Sequence, residues 1–193
     1  MTEALDEAYE RLHHTGPEWG GNLANHGPMA VEVLARHGRS DMIRAWLDGY
    51  VRRLDSTPTP SDPVTEDNWQ EALGDRVADW TVFLTRQTGE RPWREVLATW
   101  WPRLLPGIAA GATHGVIRTG HAVRTLLVGD ESAAALGELA HGLAYWAARS
   151  RALPPAGAPA SACSPTCLAG RPRYRRCERH RARTARASGW PSL

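Results

Sequence analysis

The spacing of apolar residues, and of the glycines and prolines that interrupt them, is the feature that most constrains this chain. Through the first 150 residues apolar side chains recur with the period of an α-helix, and no run of alternating β-branched residues indicates a sheet. Pro28 and Pro92 can each occupy the first turn of a helix, and Gly38 can end one. The pattern predicts an all-α fold, an irregular multi-helix domain with about seven or eight helices.

The start and stop signals also predict where the helices lie. Prolines in the sequence STPTPSDP indicate an extended linker on the surface. Pro102 and Pro106 are expected to kink or divide the helical segment that contains them. The predicted helical segments are 2–13, 28–38, 40–54, a short one at 65–74, 75–88, one from Pro92 onward, 107–127 and 130–149.

The composition changes abruptly near residue 150. Residues 151–193 contain nine arginines, all three cysteines and a single acidic residue, Glu178, whereas residues 1–150 contain 14 basic and 20 acidic residues. The formal net charge of +2 therefore hides two regions of opposite charge. Because the tail has almost no apolar periodicity, we predict that it is disordered and that residues 1–150 form one helical domain, itself incomplete.

The tail allows three interpretations. It can be a basic arm that binds nucleic acid, or a zinc knuckle built from Cys163, Cys167, Cys177 and His180, although that spacing fits a knuckle only loosely. The third interpretation, a frameshift or truncation, is favoured. The chain has no lysine, which indicates GC-rich codons, and out-of-frame reading of such DNA yields the Arg, Pro, Ala, Gly and Ser that dominate this tail.

The N-terminal segment resembles neither a signal peptide nor a membrane anchor. The sequence MTEALDEAYERL is acidic and amphipathic, and no window of the chain approaches the roughly 20 apolar residues needed to cross a bilayer. Residues 1–150 contain no cysteine, so disulfides are not expected in the domain. We predict a cytoplasmic protein without membrane contact, and the sequence leaves its oligomeric state open.

Five of the eight histidines lie in two glycine-punctuated segments, LHHTGPEWGGNLANHGPM and THGVIRTGHAVR. His26 lies at a predicted helix N-terminus, whose positive dipole end favours the neutral imidazole that a metal requires. His114 and His121 are two turns apart on nearly the same helix face, about 10 Å along the axis, so both can reach one ion only by leaning toward each other. The alternatives are a loop hydrogen bond for His26 and a solvated face for the other two.

Two further residues are candidates for catalysis. Arg118 follows His114 by one helical turn and can pair with an anionic group of a substrate. Glu18 shares the first loop with His26. These positions make Arg118 and Glu18 the candidate catalytic residues, beside His26, His114 and His121 as candidate metal ligands.

The remaining histidines of the domain are weaker candidates. His13 and His14 end the first predicted helix, where a cation meets the helix C-terminus favourably, and one of them can face the loop that carries His26. His37 is expected in the turn that ends the second helix. His141 should point away from the apolar stripe of its own helix, so we leave it out of the site.

Several separated strings resemble the questin oxidase family as found in GC-rich bacteria: HHTGPEWGGNLANHGPMAVEVL, NWQEALGD, RPWREVLATWWPRLLPGIAAGATHGVIRTGHAVR and ELAHGLAYWAAR. The resemblance covers about residues 5–150. It implies an all-helical, oxygen-using oxidoreductase; fungal relatives open a ring of anthraquinone-type polyketides by a Baeyer–Villiger-like oxidation with NADPH. It also implies a non-haem iron held by histidines, and the matching positions are His26, His114 and His121.

The same resemblance implies that activity is impaired, because family members are longer and their later half has no counterpart here. Imidazole ligands suit Fe(II), although ligand type alone also permits zinc for hydrolysis. The sequence shows neither a GxGxxG motif nor a P-loop, so it does not locate a site for NADPH. The competing hypothesis is a helical interaction module whose basic arm binds nucleic acid or another acidic partner. Which small aromatic substrate is used stays open.

Overall fold

A computed structural model describes residues 3–21 and 23–153, and the all-α prediction is confirmed there. The predicted disordered tail, with its cysteines and the basic arm, lies almost entirely outside these residues. None of the helices within them is long and apolar enough to cross a membrane. The elements are α1 Glu3–His13, β1 Glu18–Trp19, β2 Leu23–Ala24, α2 Gly27–Arg36, α3 Ile43–Tyr50, α4 Val77–Glu90, α5 Trp93–Leu104, α6 His114–Leu127 and α7 Ala133–Arg149.

Local signals predicted most helix boundaries correctly. Pro28 occupies the first turn of α2, and Pro92 is the residue before α5. Pro102 lies inside α5, which continues to Leu104 before a short 3₁₀ turn at Leu105–Gly107. Ser132 caps α7, its Oγ accepting a hydrogen bond of 3.1 Å from the amide of Ala135.

A short hairpin, β1 and β2, was not expected from the sequence. Glu18 pairs with Ala24 and Trp19 with Leu23 in antiparallel register. Gly20 has a φ of 58°, a left-handed conformation that glycine adopts at little cost and that reverses the chain. Strands of two residues are too short to display an alternating pattern, so periodicity could not reveal them.

The predicted helix at 65–74 is wrong, because residues 66–74 form a series of turns. The Oδ1 atom of Asn68 accepts a hydrogen bond of 2.8 Å from the amide of Thr65. The Oγ1 atom of Thr65 in turn accepts one of 3.3 Å from the amide of Asn68. These two reciprocal bonds form a capping box, which opens a turn, but most backbone bonds after it join residues three apart and no regular helix follows.

Helix α7 lies at the centre of the described structure, packing mainly on α4 and α6 and also contacting α1 and α5. A large apolar cluster around α4, α5 and α7 contains the fully buried Trp80, Trp100 and Trp146. A smaller cluster joins α1, α2 and α3 and includes Leu5 and Leu47. The buried tryptophans therefore belong to the core.

Helices α6 and α7 cross at two glycines. A Cβ atom at Gly115 would lie 2.6 Å from the Cα atom of Trp146, and one at Gly142 would lie 3.2 Å from the Cα atom of Thr119. Only a hydrogen at these positions allows the two backbones to approach so closely. The crossing sets the positions of the side chains of α6 that face α7.

Candidate functional site: a histidine pair and two buried carboxylates

The structure brings two of the three candidate metal ligands together. His26 lies at the start of α2 and His114 at the start of α6, 88 residues later, and their Nε2 atoms are 3.0 Å apart. The two imidazole planes are 87° apart, edge to face. Both side chains can be reached from solvent, so the pair is open on one side.

His26 is positioned by the residues on either side of it. Its backbone amide donates a hydrogen bond of 2.8 Å to the hydroxyl of Tyr50, and the Oδ1 atom of Asn25 accepts one of 2.9 Å from the amide of Gly27. A Cβ atom at Gly27 would lie 2.5 Å from the Cδ2 atom of Leu12, so a glycine is needed for this loop to pack on α1. The start of α2 is thereby fixed against α1 and α3.

His114 is positioned by a left-handed turn. Gly111, Ala112 and Thr113 all have positive φ, at 56°, 51° and 65°, a conformation that costs roughly 1–2 kcal/mol for each residue with a Cβ atom. The turn brings the carbonyl oxygen of Gly111 to 2.7 Å from Nδ1 of His114. Because a carbonyl only accepts, Nδ1 carries the proton and a neutral His114 has its lone pair on Nε2.

His121 does not join the pair. Its Nδ1 atom lies 2.9 Å from Oε2 of Glu32, a side chain only 1 % exposed that also pairs with Arg124. Burial by itself would raise the pKa of Glu32, but hydrogen bonds from His121 and Arg124 outweigh it and lower that pKa to about 2. Helix α6 is regular between residues 114 and 121, so the two histidines do not lean toward each other.

The histidine pair fits two adjacent positions around one metal ion. Two imidazole nitrogens that bind an ion at about 2.1 Å each and at right angles lie about 3.0 Å apart. This is the separation of the two Nε2 atoms. Among residues 3–21 and 23–153 no group of three or more His, Cys, Asp or Glu side chains is arranged to hold a metal. Within the described residues, the candidate ligands that lie together are therefore these two histidines.

The guanidinium of Arg118, the candidate partner of an anionic substrate group, is already paired within the protein. It is buried and donates two hydrogen bonds to Glu138 of α7, 2.6 Å from Nε to Oε1 and 2.8 Å from Nη2 to Oε2. His13 adds a third contact, with its Nε2 atom 3.0 Å from Oε2 of Glu138. Burial would raise the pKa of Glu138, but Arg118 and His13 lower it to about 2, so the pair stays ionised.

Glu18 is likewise paired within the protein. Arg149 donates two hydrogen bonds of 2.7 Å to its carboxylate, and the hydroxyl of Tyr145 donates one of 3.1 Å. Burial would raise the pKa of Glu18, but the bonds from Arg149 outweigh it and the pKa is lowered. Burial and the nearby carboxylate raise the pKa of Tyr145 to about 12. The carboxylate of Glu18 therefore forms an ion pair with Arg149, which neutralises its charge.

His141, which was left out of the site on sequence grounds, lies on the face of α7 that packs against α1. Its ring stacks on that of His13, with centroids 4.1 Å apart and planes 16° apart. His141 does point away from the apolar stripe of its helix, but α7 is packed on both faces, so that side is also covered. The available signal was the small size of its neighbours on that face, Ala134, Gly137 and Ala144, which is typical of a contact between helices.

No known protein family, curated protein or solved structure matches this chain. The likeness to questin oxidases therefore depends only on the motifs quoted above. The strongest geometric feature is the approach of His26 and His114 across 88 residues.

Proposed function

We propose that this chain carries the metal-binding part of an oxygen-using oxidoreductase that acts on a small aromatic polyketide such as an anthraquinone. One observation carries the proposal: the Nε2 atoms of His26 and His114 lie 3.0 Å apart, with the His114 tautomer fixed by Gly111. Non-haem iron as the metal and NADPH as the reductant are proposed from the resemblance to questin oxidases. The cytoplasmic location stays a prediction.

The expected reaction is a Baeyer–Villiger-like insertion. One atom of dioxygen enters beside a ring carbonyl, the other leaves as water, and NADPH supplies the two electrons. A bound iron would supply oxygen activation, which organic side chains do not provide. Two histidine ligands leave further coordination positions open for dioxygen or substrate.

The chain's own residues prepare the pair for a metal. With Nδ1 of His114 protonated, a neutral His26 donates its Nε2 proton to Nε2 of His114 when no metal is present. A metal would take the place of that proton, and His26 would then carry its proton on Nδ1. The carbonyl of Gly111 holds the His114 ring in one orientation, the role that outer hydrogen bonds play around metal ligands.

Metal titration tests the ligand assignment. The purified chain should bind about one Fe(II) or Co(II) under anaerobic conditions, weakly because two side-chain ligands are few. His26→Ala and His114→Ala should each abolish uptake. Elemental analysis and the visible absorption of Co(II) measure the bound metal. His121→Ala should retain uptake, and His37→Ala, an exposed histidine in the turn after α2, is the matched control. Equal uptake by the wild type and the His114→Ala variant would remove the assignment.

Oxygen consumption tests the reaction. With Fe(II), NADPH and a hydroxyanthraquinone, the wild type should consume oxygen in step with loss of the quinone, at a low rate, since the resemblance implies impaired activity. The His114→Ala variant should show only the background rate, whereas His37→Ala should match the wild type. Metal uptake without any quinone-dependent oxygen consumption, also in a longer version of the chain, would contradict the oxidoreductase proposal.

A further inference from the structure

A cleft of about 170 Å³ lies between the end of α1, residues 57–60 and the first half of α4. Its walls are mostly apolar and include Leu12, Pro58, Pro60 and Val82, and neither His26 nor His114 lines it. An apolar cavity of roughly 150 Å³ accepts one benzene ring. The size of the cleft therefore suits a molecule with a single ring.

Three polar side chains of the walls, those of Thr15, Thr81 and Asn25, already hold hydrogen bonds within the protein. The hydroxyl of Thr15 donates 2.6 Å to the carbonyl of Leu12, and the hydroxyl of Thr81 donates 2.8 Å to the carbonyl of Val77. The side chain of Asn25 donates a hydrogen bond to the carbonyl of Gly16 and accepts one from the amide of Gly27. These groups give a bound molecule few free partners.

The floor of the cleft is electrically balanced. Arg118 lines it, but the positive charge of Arg118 is matched by Glu138 through two short hydrogen bonds. An organic anion would meet no unpaired positive charge there, and an organic cation no unpaired carboxylate. Transfer of a charged group out of water is costly without such a partner. The charge balance therefore favours an uncharged ligand.

His141 is the side chain of the floor that can receive a ligand. It lines the cleft, stacks on His13, and makes no hydrogen bond within the described part of the chain. Burial first, and then the neighbouring His13 and Arg118, lower the pKa of His141 to about 3. The imidazole is therefore neutral near pH 7, with one N–H group to donate and one lone pair to accept a hydrogen bond.

We propose that this cleft binds an uncharged, single-ring molecule with one hydroxyl group, and that the hydroxyl donates its hydrogen bond to the imidazole of His141. The ring contacts the apolar walls. Because Arg118 and Glu138 neutralise each other, this ion pair disfavours neither the ring nor the hydroxyl group. This site adds to the proposed oxidoreductase and does not depend on the metal, because the two metal ligands lie outside the cleft.

Titration of the metal-free protein with phenol tests the proposal. Calorimetry measures the binding, and the ¹H and ¹⁵N chemical shifts of the histidine rings locate it. Phenol should bind at one site per chain and shift the resonances of His141. Toluene should bind about threefold to tenfold more weakly, the worth of one neutral hydrogen bond. Benzoate should bind still more weakly. Cyclohexanol has a hydroxyl group but no aromatic ring, so its affinity shows which of these two features binding requires.

Two variants keep the test decisive. His141→Phe preserves the stack on His13 and should remove the preference for phenol over toluene. Val82→Trp places a large side chain at an exposed wall position and should weaken both ligands at least tenfold without altering the core. His37→Phe should bind like the wild type. Equal affinity for phenol and toluene in the wild type, or unchanged phenol binding in both cleft variants, would overturn the proposal, whatever the outcome of the metal titration.

Discussion

A neutral histidine stacked on a second histidine gives this protein a source of acid sensitivity. His141 is half-buried, and the charged or titratable groups around it are His13, His14, Arg118 and Glu138. Its pKa falls from an ordinary 6.5 to about 3, because burial and the nearby positive charges disfavour a second cation. In the unfolded chain this penalty on the protonated form is absent. His141 is therefore protonated there with its ordinary pKa of 6.5.

We expect the wild type to lose stability as the pH falls from 6.5 toward 3. Within this window the unfolded chain binds a proton at His141 that the folded chain does not, so the free energy of unfolding decreases as pH decreases. By pH 5 the loss should be about 1 kcal/mol after allowance for partial exposure, or roughly 2–4 °C in Tm. Melting curves between pH 7 and pH 5 measure it.

The control is the difference between two variants. His141→Phe should show a smaller fall of Tm across the same pH range, while His37→Phe should follow the wild type. Parallel curves for the wild type and His141→Phe would show that folding does not lower the pKa of His141.

The helices could be predicted from sequence where short-range signals determine their ends. Pro28 and Pro92 mark real helix starts because proline fixes φ and its missing N–H is not needed there. The segment 65–74 carries similar signals, and Thr65 and Asn68 cap its first turn, yet the segment stays in turns. Start signals mark where a helix can begin, but they do not determine whether the residues that follow continue it.

The candidate site was predicted only in part, because its geometry depends on contacts between distant elements. Spacing selected His114 together with His121, whereas folding places His114 against His26 and leaves His121 on Glu32. His141 was placed outside the site on the assumption that one side of its helix faces solvent. Periodicity reveals an apolar face, but it does not reveal a second face covered by small residues.

The crossing of α6 and α7 should tolerate an added methyl group poorly. Gly115→Ala places a Cβ atom against the backbone of Trp146 and should lower the free energy of unfolding by about 1–3 kcal/mol. Gly120→Ala lies on the same helix in open space and should raise it by about 0.5–1 kcal/mol, since alanine favours helix. Urea unfolding of both variants compares the two directly.

The same crossing holds the buried ion pair. If Gly115→Ala were as stable as the wild type, α6 and α7 would not pack at this distance. A stabilised Gly120→Ala beside a destabilised Gly115→Ala would confirm that the effect comes from the contact, because helix propensity is changed equally in both.

At the scale of the whole molecule, an apolar surface remains on α6 and in the turn that follows it. Leu127 is 63 % exposed and Val128 is 64 % exposed. The side chain of Leu127 borders a shallow groove that also includes Leu97 and Trp101 of α5. Contiguous apolar surface of this kind is a site of association in many proteins.

We expect this surface to bind a hydrophobic dye. The wild type should enhance the fluorescence of anilinonaphthalene sulfonate, and Leu127→Gln should reduce the enhancement by about half, because one large side chain at the rim of the groove is replaced. Leu23→Gln is the matched control, since Leu23 is 53 % exposed but lies in the hairpin. Equal fluorescence of the two variants would show that the dye does not bind at this groove.

The central position of α7 has a consequence for protein synthesis. Helices α1, α4 and α6 all pack on α7, yet α7 is the last of the helices described here to leave the ribosome. Chains grow by roughly 5–20 residues per second, so for several seconds α4 and α6 are made but lack the surface that covers them. During that interval Trp80 and Trp100 lack the part of the core that Ala133–Arg149 supplies.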